Sequence, residues 1–388
     1  MEVGWSSRAA ASWTAAALCR FALPAMRWKS GRGLPQSKTS REFSSRIWRH
    51  YSLFTATLFL VASPSYLHAA ESSPTNRAAW MPHARWGVMV HYLADWKARD
   101  HNLDMSVAKW NQLVDGFDAE GLAEQVKSVG AGYLILTIGQ NSGYYLSPNP
   151  TYGQLTGIKP SKCSQRDLMA DVSKALRTRG LKLIAYLPSG APAGDKAAAQ
   201  ALQWQNGAHA NKEFQQKWEQ IIRDWSVRWG DRIDGWWFDG CYWPNTMYRA
   251  KSSPNFESFA AAARAGNPQN VVAFNPGVIP RLISVTPEED YTAGEINDPA
   301  TVQIRRATDG KLDGVQAQVL SYLGRTWGRG EPRFTDEQAV QYSRTLQSNQ
   351  TVITWDVPVQ LDGRIAEPFL KQLRAVGSAL NSTNKSSP

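Results

Sequence analysis

From Trp86 to Leu380 the chain alternates between short apolar runs and longer stretches whose apolar residues recur every three or four positions. Short apolar runs predict buried strands, and the longer periodic stretches predict amphipathic helices. Eight runs qualify as strands: Trp86–Tyr92, Tyr133–Ile138, Leu181–Leu187, Trp236–Asp239, Asn270–Phe274, Asp290–Glu295, Val315–Leu323 and Thr351–Trp355. The sixth and seventh are irregularly spaced. Helices are predicted over 106–129 and after Ser164-x-x-Asp167, where Leu168, Val172 and Leu176 recur until Gly180. Further helices follow at Phe256–Arg264, at Asp336–Gln347 and around Phe369, Leu373, Val376 and Leu380. The stripe Phe214, Trp218, Ile221, Ile222, Trp225 and Trp229 marks a long amphipathic helix assigned to core packing. Eight strands alternating with helices predict a closed (β/α)8 barrel. A doubly wound open sheet shares that pattern, but no Gly-x-Gly-x-x-Gly follows the first strand.

The net charge of +10 does not alter that picture. Residues 1–70 hold nine basic and two acidic residues, a net of +7, so the remainder carries only +3. A domain that nearly neutral has no global field for phosphate backbones, and nucleic acid is not expected as a partner. The basic stretch Arg46 to His50, the uncharged run Tyr51–Ser63 and the small pair Ala69-Ala70 stand in the order of a signal peptide. The run is shorter than the ~20 residues of a spanning helix. We therefore expect a basic leader over 1–70, a barrel over 71–380, a frayed polar tail over 381–388, and a secreted or periplasmic product. Membrane attachment would come only through an uncleaved leader. Of three cysteines, Cys163 and Cys241 lie outside the leader, which is no disulfide scaffold. Six scattered histidines give no zinc spacing, and neither metal nor cofactor is expected.

Barrel enzymes carry their chemistry just after strand ends. Here those positions hold His91 and Tyr92, Gln140, Asn141 and Tyr144, Tyr186 and Ser189, Asp239, Asn275, Glu295, Trp327, and Trp355 with Asp356. Aromatic faces, amides, hydroxyls and two separated carboxylates with few cations suit a carbohydrate better than a phosphate ester. Glycoside cleavage needs two carboxylates flanking the scissile bond. The abrupt end of Gly235-Trp-Trp-Phe-Asp239-Gly240 makes Asp239 one candidate. Asp356 reads as a turn residue.

The chain resembles glycoside hydrolase family 29, the α-L-fucosidases. The resemblance is carried by Trp80-Met-Pro-His-Ala-Arg-Trp-Gly-Val-Met-Val-His91-Tyr92, by Trp237-Phe-Asp239-Gly240 and by Asp290-Tyr-Thr-Ala-Gly-Glu295. Weaker matches are Arg325-Thr-Trp327-Gly328 and the stretch from Ile353 to Gly363. The resemblance implies a retaining exo-glycosidase with Asp239 as nucleophile and Glu295 as acid/base, Glu288 and Glu289 standing in reserve. It implies sugar contacts from His91, Tyr92, Gln140, Asn141, Tyr144, Trp237, Asn275 and Trp327, with the terminal sugar of a glycan as partner. The chain departs from the family after the second strand, where Gln140 and Asn141 replace a pair of sugar-binding histidines. Amides can still donate and accept hydrogen bonds. The departure leaves open a sugar other than fucose, or a non-catalytic carbohydrate-binding protein on the same barrel. No C-terminal β-sandwich is expected.

Overall fold

The computed structural model describes residues 76–205, 211–242, 248–303 and 310–382. The proposed leader and most of the polar tail lie outside them. The apolar runs form β1 (Trp86–Val90), β2 (Tyr133–Thr137), β3 (Lys182–Pro188), β4 (Gly235–Asp239) and β5 (Val271–Phe274). A small antiparallel hairpin, β6 (Lys311–Leu312) and β7 (Val315–Gln316), precedes β8 (Gln318–Tyr322) and β9 (Val352–Val357). The seventh predicted strand is thus two elements, with its sheet-forming part in β8. Seven strands run parallel in the order β5-β4-β3-β2-β1-β9-β8.

The sixth predicted strand is not a regular ladder, yet it occupies the gap between the two edges. Asp290 N–H donates to Val272 O of β5, while Ile296 N–H donates to Leu320 O of β8 and Gly294 O accepts from Leu320 N–H. Residues 290–296 therefore act as the eighth stave and close the (β/α)8 barrel. Gly294 lies at φ +59°, and a Cβ there would meet Gln318 O at 2.0 Å. Only glycine lets this stave lie so close to β8.

Helices cover the outside: α1 (Trp80–Ala84), α2 (Ala94–Asp100), α3 (Val107–Asp115), α4 (Ala119–Ser128), α5 (Pro150–Thr156), α6 (Leu168–Arg177), α7 (Lys196–Ala201), α8 (Lys212–Trp229), α9 (Phe256–Ala263), α10 (Asp336–Ser348) and α11 (Glu367–Asn381). The stretch predicted as one helix over 106–129 breaks into α3 and α4, because the Asp118 carboxylate caps a new helix start at Gly121 N–H. Asp167 itself caps α6, rather than the predicted Ser164. The predicted stripe of α8 is buried from Phe214 to Trp229.

Each strand sorts its residues by parity. Val88, Val90, Leu134, Leu136, Trp236, Phe238 and Trp355 join the core between sheet and helices. Met89, Tyr133, Ile135, Tyr186, Trp237, Ala273, Tyr291, Ala293 and Leu320 fill the barrel interior. Trp80, edge-on to Tyr133, and Met81 pack against this interior cluster from the N-terminal end of the strands. The opposite end is left to polar residues in the same phase. Among the described residues no helix is long and apolar enough to cross a membrane.

Candidate active site

Asp239 is the last residue of β4 and shares its phase with Trp237, so its carboxylate enters the barrel mouth. Its Oδ1 accepts from Gly240 N–H at 2.7 Å, Asn275 Nδ2 at 2.8 Å and the Tyr242 hydroxyl at 3.3 Å. Among the described residues, its Oδ2 accepts from the Tyr186 hydroxyl, at 2.6 Å. Gly240, at φ +80°, turns the chain so that its own N–H folds back onto the carboxylate.

Asn275 stands two residues beyond Ala273 and is fully buried. Its carbonyl oxygen accepts from Gly277 N–H, which fixes the amide with its nitrogen toward the mouth. From there Nδ2 also donates to Glu295 Oε2 at 2.5 Å. One amide nitrogen therefore holds Asp239 and Glu295 together. Burial, and then the charge of Asp239, push the Glu295 carboxyl up from 4.5 to about 8, against the opposing Asn275 bond. Among the described residues, neither carboxylate has an ion-pair partner.

Across the mouth, His91 donates from Nδ1 to Asp356 Oδ1 at 2.7 Å. Its ring stacks on Trp96 at 5.0 Å and meets Tyr186 and Trp327 edge-on at 5.7 and 6.4 Å. Asp356 is no turn residue. It is a fully buried member of β9 whose Oδ2 also accepts from Gly328 N–H. Trp327 is half-buried and packs on Tyr322. Trp237 lies beneath the mouth, stacked on Tyr186 at 5.2 Å, with its indole N–H on Ala293 O. Gln140 reaches the cluster through Tyr186, to whose oxygen its Nε2 donates at 2.7 Å.

Three expected contacts do not join this cluster. Tyr92 falls in the outward phase; it packs on Trp110 and Phe117, and its hydroxyl donates to Leu361 O and Leu113 O. Tyr144 turns toward α3, against Trp110 and Met105 O. Asn141 is exposed, and its backbone oxygen accepts from Gly194 N–H. The reserve carboxylates sit behind the barrel wall. Glu289 is buried and accepts from Phe274 N–H, Val285 N–H and the Ser284 hydroxyl, and Glu288 lies beside Arg264. Cys241 and Cys163 are free buried thiols, each pushed up to about 12 by burial. Sequence reading gave Tyr242 no place, and left Tyr186 on the rim without a role. The phase of Tyr186 with Ile184 was the available signal.

The sequence profile of the family described as alpha-L-fucosidase matches residues 46–385. The chain belongs to the α-L-fucosidase family. It is accordingly a glycoside hydrolase, and the family's barrel is recovered among solved structures. The endo-fucoidan hydrolase MfFcnA4 of glycoside hydrolase family 107 superposes with a TM-score of 0.62 at 21% identity, covering 78% of this chain and 53% of that one. This chain thus spans about half of that protein's length. The alpha-L-fucosidase AlfC from Lactobacillus casei, bound to its alpha-L-fucose product, gives 0.57 at 16% identity, over 80% and 99% of the two chains. An alpha-L-fucosynthase from Thermotoga maritima gives 0.54 at 15% identity, over 79% and 74%. At such identities these likenesses speak for the fold alone. No match was found among curated protein sequences.

Proposed function

We propose that this α-L-fucosidase family member is an exported, retaining exo-glycosidase acting on a terminal α-L-fucosyl or closely related residue of a glycan. The observation that carries the reading is the single Asn275 nitrogen bonded to both Asp239 Oδ1 and Glu295 Oε2. Those two oxygens can be no further apart than the two bonds laid end to end. Such closeness of one oxygen from each carboxylate supports the ~5–5.5 Å carboxyl spacing of double displacement over the ~6.5–9.5 Å of direct attack by water.

In this reading Asp239 attacks through Oδ2. Among the described residues Oδ1 accepts from three donors, whereas Oδ2 accepts from one and keeps a lone pair for the anomeric carbon. As the Oδ2–carbon bond forms, the glycosidic carbon–oxygen bond breaks and the leaving oxygen takes the proton of Glu295. With its carboxyl pushed up to about 8, Glu295 holds that proton at neutral pH. In the second step Glu295, now a carboxylate, takes a proton from water, the water oxygen bonds the anomeric carbon, and Asp239 is released. Each of the two displacements inverts the anomeric carbon, so the product keeps the anomer of the substrate. His91, Trp237 and Trp327 surround the sugar in this reading. Export rests on the leader pattern near 46–70.

The test is Asp239→Gly assayed on a panel of aryl glycosides and on fucoidan. Loss of turnover that azide restores, with a glycosyl azide of inverted configuration, is expected. Unchanged turnover removes Asp239 from the mechanism. Binding of fucosyl glycans with no turnover of any glycoside by the wild type would instead support a carbohydrate-binding protein.

A further inference from the structure

We infer that Gln140 is a positioning residue for Asp239 and acts through the Tyr186 hydroxyl. The inference rests on the hydrolase reading above but names a residue that reading does not use as machinery.

The chain of bonds has one direction. Tyr186 is buried and its ring is held flat on Trp237, so its hydroxyl oxygen has a fixed place. That oxygen lies 2.6 Å from Asp239 Oδ2 and 2.7 Å from Gln140 Nε2. A phenol has one proton, and an ionised carboxylate can only accept. The proton therefore points at Asp239, and Gln140 must present an N–H to the phenol oxygen. Donation into that oxygen polarises the O–H and strengthens its bond to the carboxylate. One N–H of the Gln140 amide is thus directed inward, to the protein.

The loop is built to hold this arrangement. The Gln140 carbonyl accepts from Gly143 N–H at 3.3 Å, and the neighbouring Asn141 carbonyl accepts from Gly194 N–H at 2.7 Å. The loop after β2 is thereby tied to the loop after β3, the strand that carries Tyr186. The Tyr186 bond fixes the oxygen that attacks, and it can take up charge as that oxygen regains its full anion in the second step. The role belongs to turnover more than to binding.

Replacing Gln140 by an acid reverses the bond. The ionised carboxyl of Gln140→Glu accepts, and so competes with Asp239 for the single Tyr186 proton. Once protonated it donates and restores the native order. The charged and titratable groups facing Tyr186 are Asp239 and Tyr242 from the end of β4 and His91 from the end of β1. Asp239 repels a second anion, so the introduced carboxyl titrates above the ordinary range.

The experiment compares kcat of Gln140→Glu, Gln140→Leu and wild type at each pH on one aryl glycoside. At about pH 7.5 we expect kcat of Gln140→Glu to fall roughly tenfold or more relative to wild type, as for a lost charge-assisted hydrogen bond, with KM nearly unchanged. At about pH 5 the ratio should recover to within roughly threefold, while Gln140→Leu shows a smaller loss that does not vary with pH. A ratio for Gln140→Glu that is flat across this range overturns the inference. Melting temperature gives a second readout that needs no activity. The Gln140→Glu variant should melt below wild type at about pH 7.5 and alongside it at about pH 5, because a raised pKa costs stability as pH rises through it. If wild type turns over no glycoside, the hydrolase reading fails; a melting gap that does not close at low pH then overturns the Gln140 inference as well.

Discussion

His91 Nδ1 donates to a carboxylate of Asp356 that has no access to solvent, at 2.7 Å across the seam between β1 and β9. The bond assigns the imidazole proton to Nδ1 and leaves Nε2 as the ring's remaining polar atom. Trp96 then fixes the ring plane by stacking. We predict that Asp356→Asn, which keeps the shape, lowers kcat/KM by about tenfold or more, the scale of one hydrogen bond to a charged group. His91→Phe should lower the melting temperature more than Asp356→Asn does, because it strands a buried anion with Gly328 N–H as its remaining donor among the described residues. Steady-state kinetics and thermal melts of the two variants check both statements; a Phe variant as stable as wild type would show that the anion is not stranded.

The pH dependence follows from Glu295. Its role requires the proton, and burial with the Asp239 charge holds that proton until about pH 8. Activity should therefore persist through neutrality and fall as pH rises through about 8. Glu295→Gln cannot release a proton to the leaving oxygen. For a poor leaving group it should cost roughly 10²–10⁴ in kcat/KM, and the basic limb should disappear. For a nitrophenol-class leaving group the loss should be smaller. A profile of kcat/KM against pH on two aglycones of different basicity decides this.

Much of the site could have been read from strand parity alone. Met89 and His91, Trp237 and Asp239, Ala273 and Asn275, Ala293 and Glu295, and Thr354 and Asp356 are each two residues apart on one stave, and each pair shares the inward phase. The same count places Tyr92 with Val88 and Val90, which face the helices. Proximity to a strand end outweighed phase in the sequence reading of Tyr92, and the structure shows that phase decides. Asp356 departs from the expected turn for a related reason: β9 runs on to Val357, two residues beyond the apolar run that predicts it. The stave at 290–296 was recognisable only by order. It is short and makes its bonds partly through the Thr292 hydroxyl to Gln318 O rather than by a regular ladder. No periodicity carries the distance from Asn275 to the two carboxylates or the direction of the Gln140–Tyr186 bond. Those depend on how far the loops after β2 and β5 lean inward.

Tyr92 supplies a contrast to the site residues. Its hydroxyl donates to Leu361 O at 2.6 Å and to Leu113 O at 3.3 Å, and Lys97 sits over its ring. Tyr92→Phe should destabilise the fold by ~1–3 kcal/mol through the carbonyls left short of a donor. KM for any sugar should not move. Denaturant unfolding alongside Michaelis kinetics tests the assignment, and a raised KM with unchanged stability would return Tyr92 to the sugar site.

The raised carboxyl of Glu295 also has a price in stability. Its ordinary value of 4.5 applies to the unfolded chain, and about 8 to the folded one. The folded state thus prefers the protonated group. The stabilising contribution is complete below about pH 4.5 and is lost progressively as pH rises toward 8, where the folded protein must finally ionise a carboxyl beside Asp239. Glu295→Gln removes that titration while keeping an oxygen to accept from Asn275 Nδ2. The variant should melt above wild type at pH 8, and the gap should narrow steadily toward pH 4.5. A gap of constant size across that range would mean that Glu295 does not titrate between those limits, and the assignment of the acid would have to move to another residue.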